Sequence, residues 1–185
     1  MYSQNLNDYI DRVLIPREEI DKEVARLGAQ ISKDYAGKEL ILIGVLKGGF
    51  VFMADLIKYI TIPLKLDFIA VSSYGASTKS SGVVRLIKDV DLDMTGKNVL
   101  IVEDIVDTGL TLSYLKELFK GRNAESVRVC TAFDKPSRRK VEMVPEYRGR
   151  EIPDEFVIGY GLDYDGILRN LPDLCILKRE IYEKK

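Results

Sequence analysis

Three carboxylates crowd one short stretch of the chain: Glu103 and Asp104 side by side, and Asp107 just beyond them. Carboxylates accept both protons of a cis-diol, hold a hard cation, or take a proton from a substrate. Asp107 opens Asp107-Thr108-Gly109-Leu110-Thr111, whose glycine and two hydroxyls suit a tight loop offering free N–H groups to a phosphate. A phosphate loop alone wants positive partners. Acids next to it point instead to a neutral, hydroxyl-rich group joined to the phosphate. A phosphorylated ribose has that character, with Mg²⁺ neutralising further phosphate.

The elements that must position these residues are readable around them. Val99–Val102 is apolar on both faces, as suits a central strand of a covered parallel sheet. Leu112, Leu115, Leu118 and Phe119 recur at helical spacing after the loop. The order is strand, acidic loop, helix, and ligands of open α/β sheets bind at the carboxyl ends of strands. Leu40–Leu46 repeats the pattern. It runs into Lys47-Gly48-Gly49 and then a helix carrying Phe50, Met53 and Leu56. Two glycines beside a lysine suit an anion, and a plain tight turn with a solvated lysine explains them equally well. Val127–Phe133 reads as another strand and delivers Lys135 to the same edge.

The remaining segments frame that edge. Ile20, Val24, Leu27 and Ile31 predict an amphipathic helix over 16–35, after a short strand at Val13–Ile15 and a peripheral stretch over 1–11. Pro63–Ser72 reads as a strand that leads into a Ser/Gly-rich stretch with the composition of a closing lid, and Val83–Ile87 returns from it. Arg138-Arg139-Lys140 reads as a solvated face, and Tyr147-Arg148-Gly149-Arg150 as a turn in a hairpin. Pro153–Gly161 reads as a strand with Phe156 in the core, and Leu174–Leu177 as the last strand.

Composition narrows the chemistry. A length of 185 residues fits one domain, and 46% hydrophobic with 31% charged residues describes a soluble globular chain. Lys plus Arg total 28 against 29 for Asp plus Glu, so nothing attracts nucleic acid or anionic membrane in general. No apolar run approaches the ~20 residues of a membrane span, and the first residues lack the pattern of a signal peptide. There is no histidine, which removes Ser-His-Asp and Cys-His catalysis and leaves acid–base work to carboxylates, Lys or Tyr. The isolated Cys130 and Cys175 read as buried small hydrophobes. Neither a Gly-x-x-x-x-Gly-Lys-Ser/Thr loop nor a Gly-x-Gly-x-x-Gly turn after a strand is present, which excludes a P-loop or Rossmann nucleotide site.

At these residues the chain resembles a known family. Val99–Thr111 resembles the phosphoribosyl pyrophosphate signature of the type I phosphoribosyltransferases: an apolar strand, an acidic pair, then Asp-Thr-Gly and a closing Thr. Leu46-Lys47-Gly48-Gly49, Ser73-Tyr74, Asp134-Lys135-Pro136 and Phe156–Asp163 resemble the hypoxanthine–guanine branch, in the expected order. The resemblance runs from about Val13 to Leu177. It implies a single α/β domain over 1–185, with a central, mostly parallel sheet flanked by helices. A small base-binding hood would form from the N- and C-terminal segments, with a flexible lid over about 73–82.

The resemblance also implies roles. Glu103 and Asp104 would bind the ribose hydroxyls and, with Asp163, a Mg²⁺. Asp107, Thr108, Gly109, Leu110 and Thr111 would wrap the 5′-phosphate, and Asp107 would act as general base toward N7 of the purine. Leu46 and Lys47, joined by a cis peptide, would hold pyrophosphate with Gly48 and Arg169. Lys135 would donate to the 6-oxo group, Phe156 would stack on the base, and the Val157 backbone would meet the base edge. Ser73 and Tyr74 would belong to the lid. The implied protein is a cytoplasmic purine-salvage transferase, a homodimer or homotetramer, using phosphoribosyl pyrophosphate and a 6-oxopurine. The alternatives are a xanthine-preferring or pyrimidine enzyme, and a non-catalytic sensor of phosphoribosyl pyrophosphate.

Overall fold

The structure, a computed structural model, describes residues 5–73 and 84–183. Its frame is a six-stranded sheet in the order β4-β3-β2-β5-β6-β7. The strands are β2 (Leu40–Leu46), β3 (Lys65–Ser73), β4 (Val84–Lys88), β5 (Asn98–Val106), β6 (Ser126–Asp134) and β7 (Tyr147–Glu151). All neighbours pair in parallel except β3 and β4. The continuous apolar runs have their reason in two covered faces. Leu42, Leu100 and Val102 point to one core with α1 (Arg17–Asp34) and α2 (Phe50–Leu56). Ile41, Ile43 and Ile101 point to the other, against α3 (Leu110–Lys120) through Leu112, Leu115 and Phe119. Strand alternation therefore divides one apolar run between two cores. Each such fully buried side chain contributes about 1.5–3 kcal/mol of transfer free energy.

A second sheet, β1-β9-β8, joins the two ends of the chain. Here β1 (Ile10–Ile15) and β8 (Val157–Ile158) flank β9 (Leu174–Leu177), both antiparallel to it. The final helix, α4 (Arg179–Tyr182), follows β9. A small core of its own, including Tyr9, Ile158 and Leu171, lies under this sheet. Among the described residues no helix is long and apolar enough to cross a membrane.

Several segments differ from their sequence reading. Residues 5–8 and Asp11 are exposed, as their polarity suggests, but Tyr9 is buried and β1 starts at Ile10. Tyr147–Arg150 is no hairpin turn but part of the parallel strand β7. Tyr147 is buried, and Gly149 lies so close to the Ala132 carbonyl that a Cβ would collide with it, so the glycine serves strand approach and not a turn. Over Pro153–Gly161 only Val157–Ile158 is a strand, because Gly159, Tyr160 and Gly161 all take positive φ.

The parallel strands end at one edge. Leu46 of β2, Ser73 of β3, Val106 of β5 and Asp134 of β6 are all last residues, and Val106 lies level with Asp134. This is the edge to which the sequence assigns the chemistry.

Candidate active site

The β5 edge carries the acids. Asp104 is buried, and its Oδ1 accepts the N–H of Ile105 at 2.8 Å. Burial raises the carboxyl of Glu103 well above its usual range, and the charge of Asp104 beside it raises it further. Burial raises Asp104 too, although the hydrogen bond from Glu103 opposes that shift. The two form a desolvated pair of acids, each raising the cost of charge on the other. A pair in this condition is poised for hydroxyl protons or a cation in front of it.

Just beyond, Gly109 takes φ 81° at the start of α3, and its carbonyl accepts the Ser113 N–H at 2.9 Å. The Thr108 hydroxyl accepts the N–H of Leu110 at 3.4 Å. The loop encloses a cleft of about 200 Å³ lined by Glu103, Asp104, Asp107, Thr108, Gly109 and Thr111. Every predicted phosphate and ribose residue of this loop thus faces one cleft except Leu110, which opens the helix.

The β2 edge reaches the same acids. The Leu46–Lys47 peptide is cis, as expected from the resemblance. Gly48 follows, and a Cβ placed on it would fall inside the Asp104 carboxylate. Gly161 closes over the turn from the other side, since its own Cβ would strike the Gly48 carbonyl. Gly161 in turn is tied to Arg169, whose Nη1 donates to the Gly161 carbonyl at 2.7 Å. Arg169 also pairs with Asp163 at 2.7 Å, and Asp163 accepts the Gly166 N–H at 2.8 Å.

A second cleft, of about 470 Å³, adjoins the first through Asp107. Lys135, Phe156, Val157 and Asp163 line it. Lys135 is buried, and its Nζ donates to the Glu155 carbonyl at 2.6 Å. Burial pushes its ammonium below the usual lysine range, against the pull of Asp107 and Asp154. Phe156 is 38% exposed, which overturns its reading as a core residue. Its ring is stacked with Tyr182 at 5.2 Å and 26°, and meets Tyr164 edge-on at 5.8 Å. A wider cleft of about 650 Å³ near Asp11 and Glu180 contains none of the predicted site residues.

The basic cluster after Lys135 is exposed at Arg138 and Lys140, as a solvated face would be, but its two arginines are engaged. Arg138 Nε donates to Asp107 Oδ1 at 3.0 Å. Arg139 donates to the Asp107 carbonyl at 2.5 Å and pairs closely with the buried Asp134. The reason is topological: the turn after β6 folds back over the loop after β5, which the local sequence cannot show. Ile105, Arg179 and Tyr182 also line the larger cleft without having been singled out. For Ile105 the signal was available, as an apolar residue between two acids at a strand end. For Arg179 and Tyr182, in a charged tail, there was none.

The expected metal ligands do not gather into one ready-made cluster. Among the described residues no group of three or more His, Cys, Asp or Glu side chains is placed to hold an ion. Glu103 and Asp104 stand as a pair, whereas Asp163 is engaged by Arg169. Ser73 ends β3 at the same edge. Tyr74 and the rest of the predicted lid, through 82, lie outside the described residues.

Comparison with known proteins agrees with this geometry. The phosphoribosyl transferase domain matches residues 16–165. The hypoxanthine-guanine phosphoribosyltransferase of Bacillus subtilis (strain 168) is 53% identical over 174 residues, covering 94% of this chain and 97% of its own. The chain belongs to the hypoxanthine–guanine phosphoribosyltransferase family. The enzyme of that name from Lactococcus lactis is 50% identical over the full length of both chains. Among solved structures, a hypoxanthine phosphoribosyltransferase from Staphylococcus aureus superposes with a TM-score of 0.93 at 46% identity, covering 97% of this chain and 99% of that one. As a phosphoribosyltransferase, the protein is an enzyme of pentosyl transfer, and its mostly parallel sheet flanked by helices is the type I phosphoribosyltransferase fold.

Proposed function

We propose that this enzyme transfers the 5-phosphoribosyl group from phosphoribosyl pyrophosphate to N9 of hypoxanthine or guanine, releasing pyrophosphate. The observation that carries the reading is the shared position of Asp107. It lines both the small acid-rich cleft and the larger cleft with Lys135 and Phe156. A sugar phosphate in the first and a purine in the second meet at that residue.

The residues divide the work. Backbone N–H groups from Thr108 to Thr111 bind the 5′-phosphate at the start of α3. Glu103 and Asp104 accept the ribose hydroxyl protons. The Leu46-Lys47-Gly48 turn and Arg169 receive the pyrophosphate. As N9 attacks C1′ and the bond to pyrophosphate breaks, Asp107 takes the N7 proton, which keeps electron density on the attacking ring. Lys135 donates to the 6-oxo group, Phe156 stacks on the ring, and the Val157 backbone meets its edge. The small β1-β9-β8 sheet serves as the hood on the base side, with Val157 in β8 and Phe156 just before it, while Lys135 comes from the end of β6.

The acidic pair suits a hard cation by its oxygen donors at the β5 edge. Glu103, Asp104 and Asp163 are the residues that would hold Mg²⁺. When bound, Mg²⁺ offsets the charge of the departing pyrophosphate. Two free, buried thiols suit a reducing, cytoplasmic compartment. The family resemblance supports assembly into a homodimer or homotetramer.

The test is direct. Incubation with Mg²⁺, phosphoribosyl pyrophosphate and hypoxanthine is expected to yield a nucleoside monophosphate and pyrophosphate in equal amounts. Binding of phosphoribosyl pyrophosphate without turnover of any purine contradicts the proposal.

A further inference from the structure

The segment after β6 grips the loop after β5 through three successive residues. Arg138 Nε donates to the Asp107 side chain at 3.0 Å. Arg139 Nη1 donates to the Asp107 carbonyl at 2.5 Å. The Lys140 N–H donates to the Thr108 carbonyl at 2.9 Å. Arg139 and Lys140 fix backbone, and Arg139 is anchored further by the buried Asp134. Arg138 alone of the three reaches the carboxylate.

Nothing in the packing demands an arginine at 138. Its side chain is 48% exposed, and its ion-pair partners among the described residues are Asp107 and, at 3.6 Å, Asp154. It lines the larger cleft together with both of them and with Lys135. The charge and hydrogen bond of Asp107, then the charge of Asp154, raise the Arg138 guanidinium further above its usual value. The cation therefore stays charged throughout the working pH range.

We propose that Arg138 is a positioning residue for the general base, holding Asp107 by Oδ1 so that Oδ2 faces the purine N7 proton. The inference rests on the assignment of Asp107 as that base. The arrangement is chemically balanced. The N9–C1′ bond forms, the bond from C1′ to the pyrophosphate oxygen breaks, and the N7 proton moves to Oδ2. Arg138 neither gains nor loses a proton. Its hydrogen bond fixes the rotation of the carboxylate, which is free to turn without it. Misplacement of a reacting group by about an ångström costs up to ~10²-fold in rate. A half-exposed contact such as this one accounts for a smaller share.

The experiment compares wild type, R138A, R138K, D107N and the double variant D107N/R138A. It measures kcat and KM for hypoxanthine with radiolabelled base, and Kd for phosphoribosyl pyrophosphate by calorimetry. R138A is expected to lose roughly tenfold in kcat with unchanged Kd and thermal midpoint. R138K restores part of that loss, because it returns a cation without the planar fork. In the D107N background R138A adds no further loss, since the group it positions is gone. R138Q, which keeps most of the side-chain length, stands in should R138A fold poorly. Wild-type kcat in R138A, or an equal loss in both backgrounds, overturns the inference and leaves Asp107 in place. Near-normal kcat in D107N overturns the assignment of the base, and this inference with it.

Discussion

Gly48 and Asp104 are in such close contact that a single added methyl on Gly48 would occupy the position of the Asp104 carboxylate. The relationship joins two strand ends, since β2 and β5 are parallel neighbours whose last turns converge on one point. It also explains why glycine stands at this position when Gly48 needs no positive φ. The room is needed for the acid.

Gly48→Ala is therefore expected to displace either the turn or the acid. Overpacking of this kind costs about 1–3 kcal/mol of stability. The effect on function is expected to be larger, because both displaced groups belong to the proposed sugar and pyrophosphate site. A fall of roughly 10²-fold in kcat/KM for phosphoribosyl pyrophosphate is expected, with the folded structure retained by circular dichroism. Unchanged kinetics in this variant separate Asp104 from the substrate site.

Asp107→Asn keeps the size of the side chain and its loop but cannot accept a proton in the same way. The expected result is a loss of about 10²–10⁴-fold in kcat, while calorimetry shows phosphoribosyl pyrophosphate bound with nearly wild-type affinity. A kcat close to wild type in D107N removes Asp107 from proton transfer.

The Lys135 ammonium titrates below the ordinary lysine range because it is buried. Its donor form, proposed to serve the 6-oxo group, disappears as pH rises through that lowered value. The alkaline fall in kcat/KM for hypoxanthine should thus begin below the usual lysine pKa. In Lys135→Arg the fall moves to higher pH, because guanidinium keeps its proton. An alkaline limb that is identical in both proteins assigns it to another group.

A separate acid stabilises the fold. Asp55 is buried, and it receives Tyr160 Oη at 3.0 Å, Arg17 Nη2 at 2.8 Å and Lys58 Nζ at 2.8 Å. Burial alone raises its carboxyl; the hydrogen bonds from Lys58 and Tyr160 and the Arg17 charge outweigh that and hold it below its usual value. A carboxyl lowered by folding stabilises above its unfolded pKa, and the stability is lost as pH falls through the folded value. Because Arg17 and Lys58 are partly exposed, Asp55→Asn should cost about 1–3 kcal/mol at pH 7. Urea unfolding over a pH series checks the sign: the gap to wild type should narrow below about pH 4. A gap that widens with acid contradicts it.

The parts of this protein legible in its sequence are those fixed by short-range pattern. The runs Leu40–Leu46 and Val99–Val102, the α1 stripe and the Asp107–Thr111 loop each carry their geometry locally; the structure packs the stripe on the sheet face and brings the strand ends and the loop to one edge. What stayed hidden depends on long-range approach. Gly149 looks like a turn residue until β7 is laid against Ala132. Arg138 and Arg139 look like solvated charge until the turn after β6 folds over Asp107. Tyr182 stacks on Phe156 across 25 residues of intervening sequence, because β9 returns beside β8. No periodicity encodes these meetings.

Base choice in this 6-oxopurine phosphoribosyltransferase is proposed to rest on Lys135, which can only donate. Its most direct test is kcat/KM for hypoxanthine, guanine, xanthine and adenine under saturating phosphoribosyl pyrophosphate and Mg²⁺. Hypoxanthine and guanine are expected to turn over efficiently. Adenine presents an amino donor to Lys135 and should fall behind by at least ~10³-fold, the usual penalty for leaving buried polar groups unpaired. Adenine used as well as hypoxanthine, or no turnover of any 6-oxopurine, contradicts the account.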